Sequence, residues 1–505
     1  MKRTLALILL LLMVMPLVAA CSENSDSGDV TETTAGEIAE ETTTEITETN
    51  RSQMKDNLPE DLDFGGESVR ILARDDGFRL ALDIFAAEDT GDIVETAVYK
   101  RNLAIEERLN VKLEPIFVNM DIHGGVLGGA KSIQDTVRSS VLAGSDDYDI
   151  SVNHMTQTTT LIIENMYANL LELDYLDFEQ PWWASDFIDE ITMNGQCYVM
   201  AGEASLTMIQ SMYLLFYNKN MYGNYYTDDI SSTVLNGEWT LDKLTEYSKT
   251  AYADLNGDGV ADKDDQYGYS TTTIRLIDVL LGGANIPLSV MNSEGIPEYV
   301  IEGNPHVYEF VEKAHALVKN KDITWETTRS AEGETELLNK FAEGKVMFIP
   351  YTPMGADYLR EMDDDFGVLP VPKLNDTQEK YTTYVHNGFS AFAILTTCKN
   401  PNMAAAVCEA MGAENYRNVT AAYYEVALKV KYSRDDVSSQ MLDMIRDSIH
   451  FDFAYIYDGY LGEPMGQFRD LVINGPDTAT SRLTSKMTAC QTKLEALLEK
   501  FQAME

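Results

Sequence analysis

Basic residues are scarce in this 505-residue chain: 38 Lys and Arg stand against 82 Asp and Glu, a formal net charge of −44. Nucleic acid and anionic headgroups are held through Lys and Arg, so a surface this negative argues against both as partners. The acidity is spread along the chain rather than collected in one tail. Histidine is also rare, and His123, His154, His306, His315, His386 and His450 lack metal-ligand spacing. Of five cysteines, Cys197, Cys398, Cys408 and Cys490 fit neither a zinc site nor a dense disulfide framework, so buried thiols are expected. No Gly-x-Ser-x-Gly elbow, His-Glu-x-x-His pair or solenoid repeat occurs. Gly125-Val126-Leu127-Gly128-Gly129-Ala130-Lys131-Ser132 is one glycine short of a phosphate-binding loop and reads as a loop before a helix. The N-terminal apolar run, Leu5 to Val18, is shorter than the about 20 residues a spanning helix needs.

What the N-terminus does carry is a secretion signal. Lys2-Arg3, the apolar run and Val18-Ala19-Ala20-Cys21 resemble a bacterial lipobox, in which the cysteine sulfur takes a diacylglycerol. Two acyl chains anchor stably, each buried CH2 adding roughly 0.8 kcal/mol. Residues 1–20 are then a signal peptide and Cys21 the lipidated N-terminus, on the extracellular face of the cytoplasmic membrane. A plain signal peptide or one-span anchor is the alternative. Residues 21–65, rich in Ser, Thr and Glu as far as Asn57, have little apolar surface to bury and read as a disordered acidic tether. Such a chain spans roughly 30–35 Å root-mean-square.

From Gly66 onward, Ser68–Ala73 reads as a strand buried on both faces and Glu95–Leu109 as a helix. Val111–Ile116 is a strand, Ser132–Leu142 a helix and Tyr148–Val152 a strand. Strand-helix alternation predicts a sheet covered by helices, with the ligand site beyond the carboxyl ends of the strands. That points to Arg74 and Asp75 after the first strand and to Asn153 and His154 after the third. Gln196–Ala201 and Met212–Lys219 also read as strands. Thr240 is an N-cap candidate, and Glu336–Glu343 a helix closed by Gly344.

The order of Gly237-Glu238-Trp239-Thr240-Leu241-Asp242-Lys243-Leu244, Asp254-Leu255-Asn256-Gly257-Asp258-Gly259, Phe341-Ala342-Glu343-Gly344-Lys345-Val346-Met347-Phe348 and Phe366-Gly367-Val368-Leu369-Pro370-Val371-Pro372-Lys373 resembles the extracellular solute-binding proteins of ABC importers. The nearest branch is the carbohydrate-binding one that includes maltose-binding protein. Tyr217-Asn218-Lys219 and the stretch from Tyr423 to Ser433 fit it too. The resemblance implies a two-lobed α/β fold of the periplasmic-binding-protein type, each lobe a mainly parallel sheet flanked by helices. It places lobe one at 66–213 plus 388–430 and lobe two at 214–387 plus 431–505. Crossings fall near Met212–Tyr217 and His386–Ala391, with a third near 430.

Within lobe two, Asp254-Leu255-Asn256-Gly257-Asp258-Gly259-Val260-Ala261-Asp262-Lys263-Asp264-Asp265 sets oxygen side chains at loop positions 1, 3, 5, 9 and 12 with glycine at 6. Asp254, Asn256, Asp258, Val260 (by its carbonyl), Asp262 and Asp265 are the candidate ligands of a structural Ca2+. Asp at the last position resembles dockerin calcium loops. The plain alternative is a solvated acidic turn.

Sugar rings pack apolar C–H faces on aromatics, so Trp182, Trp183, Trp239, Trp325, Tyr351 and Tyr384 are candidates, although large aromatics mostly serve packing. The expected ligand set is Arg74, Asp75, Asn153, His154, Trp183, Gln210, Ser211, Tyr351 and Asn387. The reading is a non-enzymatic, monomeric lipoprotein, without catalytic cofactor, that binds an oligosaccharide and delivers it to an importer permease. A peptide solute and an extracellular glycoside hydrolase are the alternatives, since composition supplies many carboxylate pairs.

Overall fold

The computed structural model describes residues 51–504, apart from 78, 130, 274–276 and 425–435. The signal segment, Cys21 and the tether as far as residue 50 lie outside that range, as do residues 425–433 of the Tyr423–Ser433 stretch.

Residues 51–65, expected in the tether, are instead part of the folded body. Arg51 donates from Nε to the Tyr416 carbonyl at 2.7 Å, lies over the Tyr416 ring at 3.9 Å and pairs with Glu203. Leu58 is 5% exposed. Burial alone would raise the Asp56 carboxyl, but two hydrogen bonds from Arg108, at 2.7 and 2.6 Å, hold it below the usual range. A few well-placed anchors suffice here where mean polarity suggests none.

In lobe one, β1 (Glu67–Asp75) lies between β2 (Val111–Asn119) and β3 (Ile150–His154), parallel to both. Helix α1 (Ile93–Leu109) links β1 to β2; Asp92 caps it by accepting from the Val94 and Glu95 amides. Helix α2 (Ile133–Leu142), capped by Ser132, leads to β3. The apolar run Val69, Ile71, Leu72, Ala73 is at most 1% exposed, as a strand covered on both faces requires.

Lobe two holds β4 (Leu214–Asn218), β5 (Tyr267–Thr272), β8 (Thr324–Thr327), β9 (Val346–Tyr351) and β10 (Phe366–Leu369) in the order β10-β4-β9-β5-β8. A short hairpin, β6 (Ser289–Met291) with β7 (Pro297–Tyr299), stands apart. β5 runs parallel to β8 and β9, whereas β4 runs antiparallel to β9 and β10, so this sheet is evenly mixed rather than mainly parallel. Helix α3 (Ala331–Ala342) joins β8 to β9 and is capped by Ser330. β11 (Ser390–Ile394) returns to lobe one, antiparallel to β3.

The lobes are joined by chain segments that pair with each other. The Tyr213 amide donates to the Tyr384 carbonyl at 3.0 Å and the His386 amide to the Ser211 carbonyl at 2.9 Å. Beside them the Thr383 amide donates to Ser448 at 2.8 Å and the His450 amide to Thr383 at 2.9 Å. Residues 448–450 thus pair beside the two crossings, while the third crossing expected near 430 falls outside the described residues. Just beyond, the Phe451 and Phe453 amides donate to Asp186 and Glu190 of lobe one, while Asp452 accepts from the Leu288 and Ser289 amides of lobe two. This part of the chain, expected in lobe two, is tied to both lobes. Gln196–Ala201 is not a regular strand; it makes isolated bridges, Met193 with Gln196 and Met200 with Phe392.

Candidate functional site

The carboxyl ends of β1 and β3 and the start of β11 lie along one edge of the lobe-one sheet, where the crossings enter. A cavity of about 90 Å³ opens there. Lobe one supplies Ile122 and His123 from the loop after β2, and the crossings supply Ser211, Tyr213 and His386. Lobe two supplies Glu334, Tyr351, Thr352 and Met354. The wall thus offers one large ring at the end of β9, two imidazoles, hydroxyls and a carboxylate.

The rings are set edge to face: His123 and His386 lie 5.6 Å apart, and Tyr213 and His386 6.2 Å apart. His386 Nδ1 accepts from the Gly388 amide at 3.0 Å, which leaves any ring proton on Nε2. The His123 loop is shaped by Asp121, which accepts from the His123 and Gly125 amides, both at 2.8 Å. Gly124 has φ +78°, and a Cβ there would lie 2.3 Å from Gln157 Nε2, so the turn needs glycine. The Gly125 amide, first in the near-miss phosphate loop, is spent on the Asp121 carboxylate.

The expected ligand residues divide by depth. Ser211 and Tyr351 line the cavity. Asn387, next to His386, is half-buried but not in the wall. Arg74, Asn153 and Gln210 are at most 1% exposed and sit behind the surface. Arg74 donates from Nη2 to the Gly388 carbonyl and Ser390 Oγ, each at 2.8 Å, so it positions the crossing strand. Burial lowers its pKa to about 10. Burial, with Arg74 and His123 nearby, also holds His154 well below its ordinary value and therefore neutral. Asp75 closes a turn by accepting from the Gly77 amide at 2.7 Å.

Trp183 does not reach the cavity. Its indole N–H donates to Glu409 at 2.8 Å, and Trp182 donates to the other oxygen at 3.1 Å. Trp239 donates to the Pro370 carbonyl at 2.8 Å, and Tyr384 stacks on Tyr455 at 5.1 Å. Sequence reasoning missed His123, Tyr213, Glu334, Thr352 and Met354. Only the crossing strands, already placed at 212 and 386, pointed toward them.

The acidic loop is folded on its own amides. Asp254 accepts from Gly257 at 2.7 Å and Gly259 at 2.9 Å, and Asp258 accepts from Val260 at 2.7 Å. Asn256 accepts from the Asp258 amide at 3.0 Å and Asp262 from the Asp264 amide at 2.8 Å. Asp265 is fully buried and accepts from Leu255, Asp262 and the Tyr252 hydroxyl. Among the described residues, no three His, Cys, Asp or Glu side chains converge as a metal cage. Cys197, Cys398, Cys408 and Cys490 are free and buried. No described helix is long and apolar enough to cross a membrane.

No family model and no curated protein matches this sequence. Solved structures do match. The extracellular solute-binding protein from Staphylococcus aureus in complex with maltose aligns with a TM-score of 0.55 at 13% identity, over 85% of this chain and 98% of that one. A cyclo/maltodextrin-binding protein complexed with maltotetraose gives 0.55 at 12%, over 85% and 97%. The GacH receptor of Streptomyces glaucescens, solved unliganded and with acarbose, gives 0.53 at 14%, over 85% and 99%. The fold is the two-lobed one of extracellular solute-binding proteins. These three neighbours were solved with maltose, maltotetraose and acarbose respectively.

Proposed function

We propose that this protein captures an extracellular oligosaccharide between its lobes and delivers it, uncleaved, to the permease of an ABC importer. The observation that carries the reading is the cavity at the crossings, walled by both lobes and by the segments that join them. In such a place a solute bridges two bodies, and its contacts with both stabilise the closed state. Tyr351 supplies a face for a sugar ring, and Ser211, Tyr213, Thr352, His123, His386 and Glu334 supply hydroxyl partners. A glycoside hydrolase needs two carboxyl groups about 5–9.5 Å apart across the scissile bond; Glu334 is the carboxylate in this wall.

In the same reading Cys21 carries the lipid that holds the monomer at the outer face of the cytoplasmic membrane, and residues 254–265 bind Ca2+ in a structural role. Support for both comes from the sequence pattern.

Calorimetry with maltose, maltotetraose and acarbose, followed by chromatography of the recovered sugar, tests the proposal. Saturable heat with intact ligand recovered is expected. Cleaved sugar would overturn the receptor reading. Heat with peptides but with none of the saccharides would replace the solute class. Labelling of cells with a tagged fatty acid tests the anchor: the label should vanish in Cys21→Ala.

A further inference from the structure

We infer that lobe two carries a second saccharide site on its outer surface, centred on Trp325 and separate from the cleft. A hollow of about 610 Å³ lies there, several times the size of the cavity at the crossings. Trp325 on β8 forms one side; Thr335, Glu336 and Asn339 of α3 form another. Helix α3 divides the two sites: Glu332 and Thr335 face the hollow, while Glu334, on the same turn, faces the cleft.

The state of Trp325 distinguishes it from the other tryptophans. Trp182, Trp183 and Trp239 are 0–4% exposed, with each indole N–H on an internal acceptor. Trp325 is only half-buried. Its ring is steadied by Lys340, whose ammonium lies 4.6 Å from the ring centroid and donates to the Lys263 and Asp265 carbonyls. The ring is thus held in place yet remains part of the wall of an open hollow, the condition for stacking at low entropic cost.

Charge selects the ligand class. Lys263, Lys340 and Lys345 face Asp264, Glu332, Glu336 and Glu343, and Lys345 pairs with Glu343 at 2.9 Å. A strong anion meets the carboxylates and a cation meets the ammonium groups. An apolar ligand finds little besides the indole and Ala331. A neutral polyhydroxylated ring suits all of them: its C–H face packs on the indole, and its hydroxyls donate to carboxylates and accept from Asn339, Thr335, Lys263 and Lys345.

The test is tryptophan emission and acrylamide quenching of the full protein titrated with maltose, maltotetraose and maltoheptaose, alongside calorimetry. Saccharide should shift the emission and protect it from quencher. The signal should be lost in Trp325→Phe, and its midpoint should rise about 3- to 10-fold in Asn339→Ala, which removes one exposed partner. It should persist in Tyr351→Ala at saccharide concentrations where the cleft no longer fills. Calorimetric binding with no emission change, or with a change unaltered in Trp325→Phe and Asn339→Ala, would overturn the outer site and leave the cleft reading standing. No binding of any saccharide by either method would end both.

Discussion

Arg79 of lobe one is ion-paired with Asp357 of lobe two, and both side chains are less than one-fifth exposed. Asp357 also accepts from Arg360 at 3.1 Å. A charge-assisted pair shielded from water is worth more than a surface one. In the proposed receptor it would join two bodies that separate to admit a solute, and so would favour the closed arrangement before any ligand arrives. Asp357→Asn should enlarge the radius of gyration of the unliganded protein in small-angle scattering and raise the solute Kd about 3- to 10-fold, through a smaller closed population. Identical scattering together with an unchanged Kd would refute this role.

Buried carboxyls should make the protein less stable as pH rises through neutrality. Burial pushes Glu409 up to about 7, against the pull of the Trp183 and Trp182 indole donors. Burial and the neighbouring Asp452 push Glu190 to about 7. A carboxyl raised in the folded state binds its proton more tightly there, so its contribution is present at low pH and fades between about pH 5 and 7. His450 acts in the same direction: burial disfavours its charge, but Asp186 outweighs that and raises it. His154, lowered by burial, acts oppositely. The melting temperature should fall from about pH 5.5 to pH 8, and Glu409→Gln should flatten part of that slope. An equal slope in the variant would remove Glu409 from this account.

Much of lobe one is legible in the sequence because its strands are short apolar runs and its helices carry caps. Asp92 and Ser132 both cap in the structure, and Thr240 accepts from the Lys243 amide as its position implied. The cleft is harder to read. His123 and His386 meet only because two distant loops close on each other, and no local pattern links them. Trp183 misleads for a related reason: its N–H is satisfied by Glu409, a partner far along the chain. Residues 51–65 mislead through composition, since Arg51, Asp56 and Leu58 are few but each has a tailored partner.

Calcium is expected to raise the melting temperature above that in chelator by several degrees, and the rise should disappear in Asp258→Asn, an exposed position. An unchanged melting temperature across both conditions would refute the metal. Asp265 plays a different part, for its buried carboxylate holds two amides and a hydroxyl. Asp265→Ala should therefore destabilise the protein with or without calcium, by about 1–3 kcal/mol, measured by urea unfolding.

Tyr351 is the one expected aromatic that lines the cavity. Tyr351→Ala should weaken saccharide binding at least about 10-fold in calorimetry, the loss of a stacked ring and its buried area, while the melting temperature of the unliganded protein changes little. Undiminished affinity would place the sugar elsewhere.

The joint assembled from 211–213, 383–386 and 448–450 draws on three remote stretches of one polypeptide. Closing such long loops is entropically slow. The lobe-two sheet draws all its strands from one stretch, 214–369, but the joint between the lobes is complete only once residues 448–450 are in place. A chain shortened before residue 448 would lack the bridge of Ile449 to Thr383 and the ties of 451–453 to both bodies. It would also lose buried core side chains such as Phe451, Phe468, Leu494 and Phe501, so the stability of the body and the proposed solute binding should fail together.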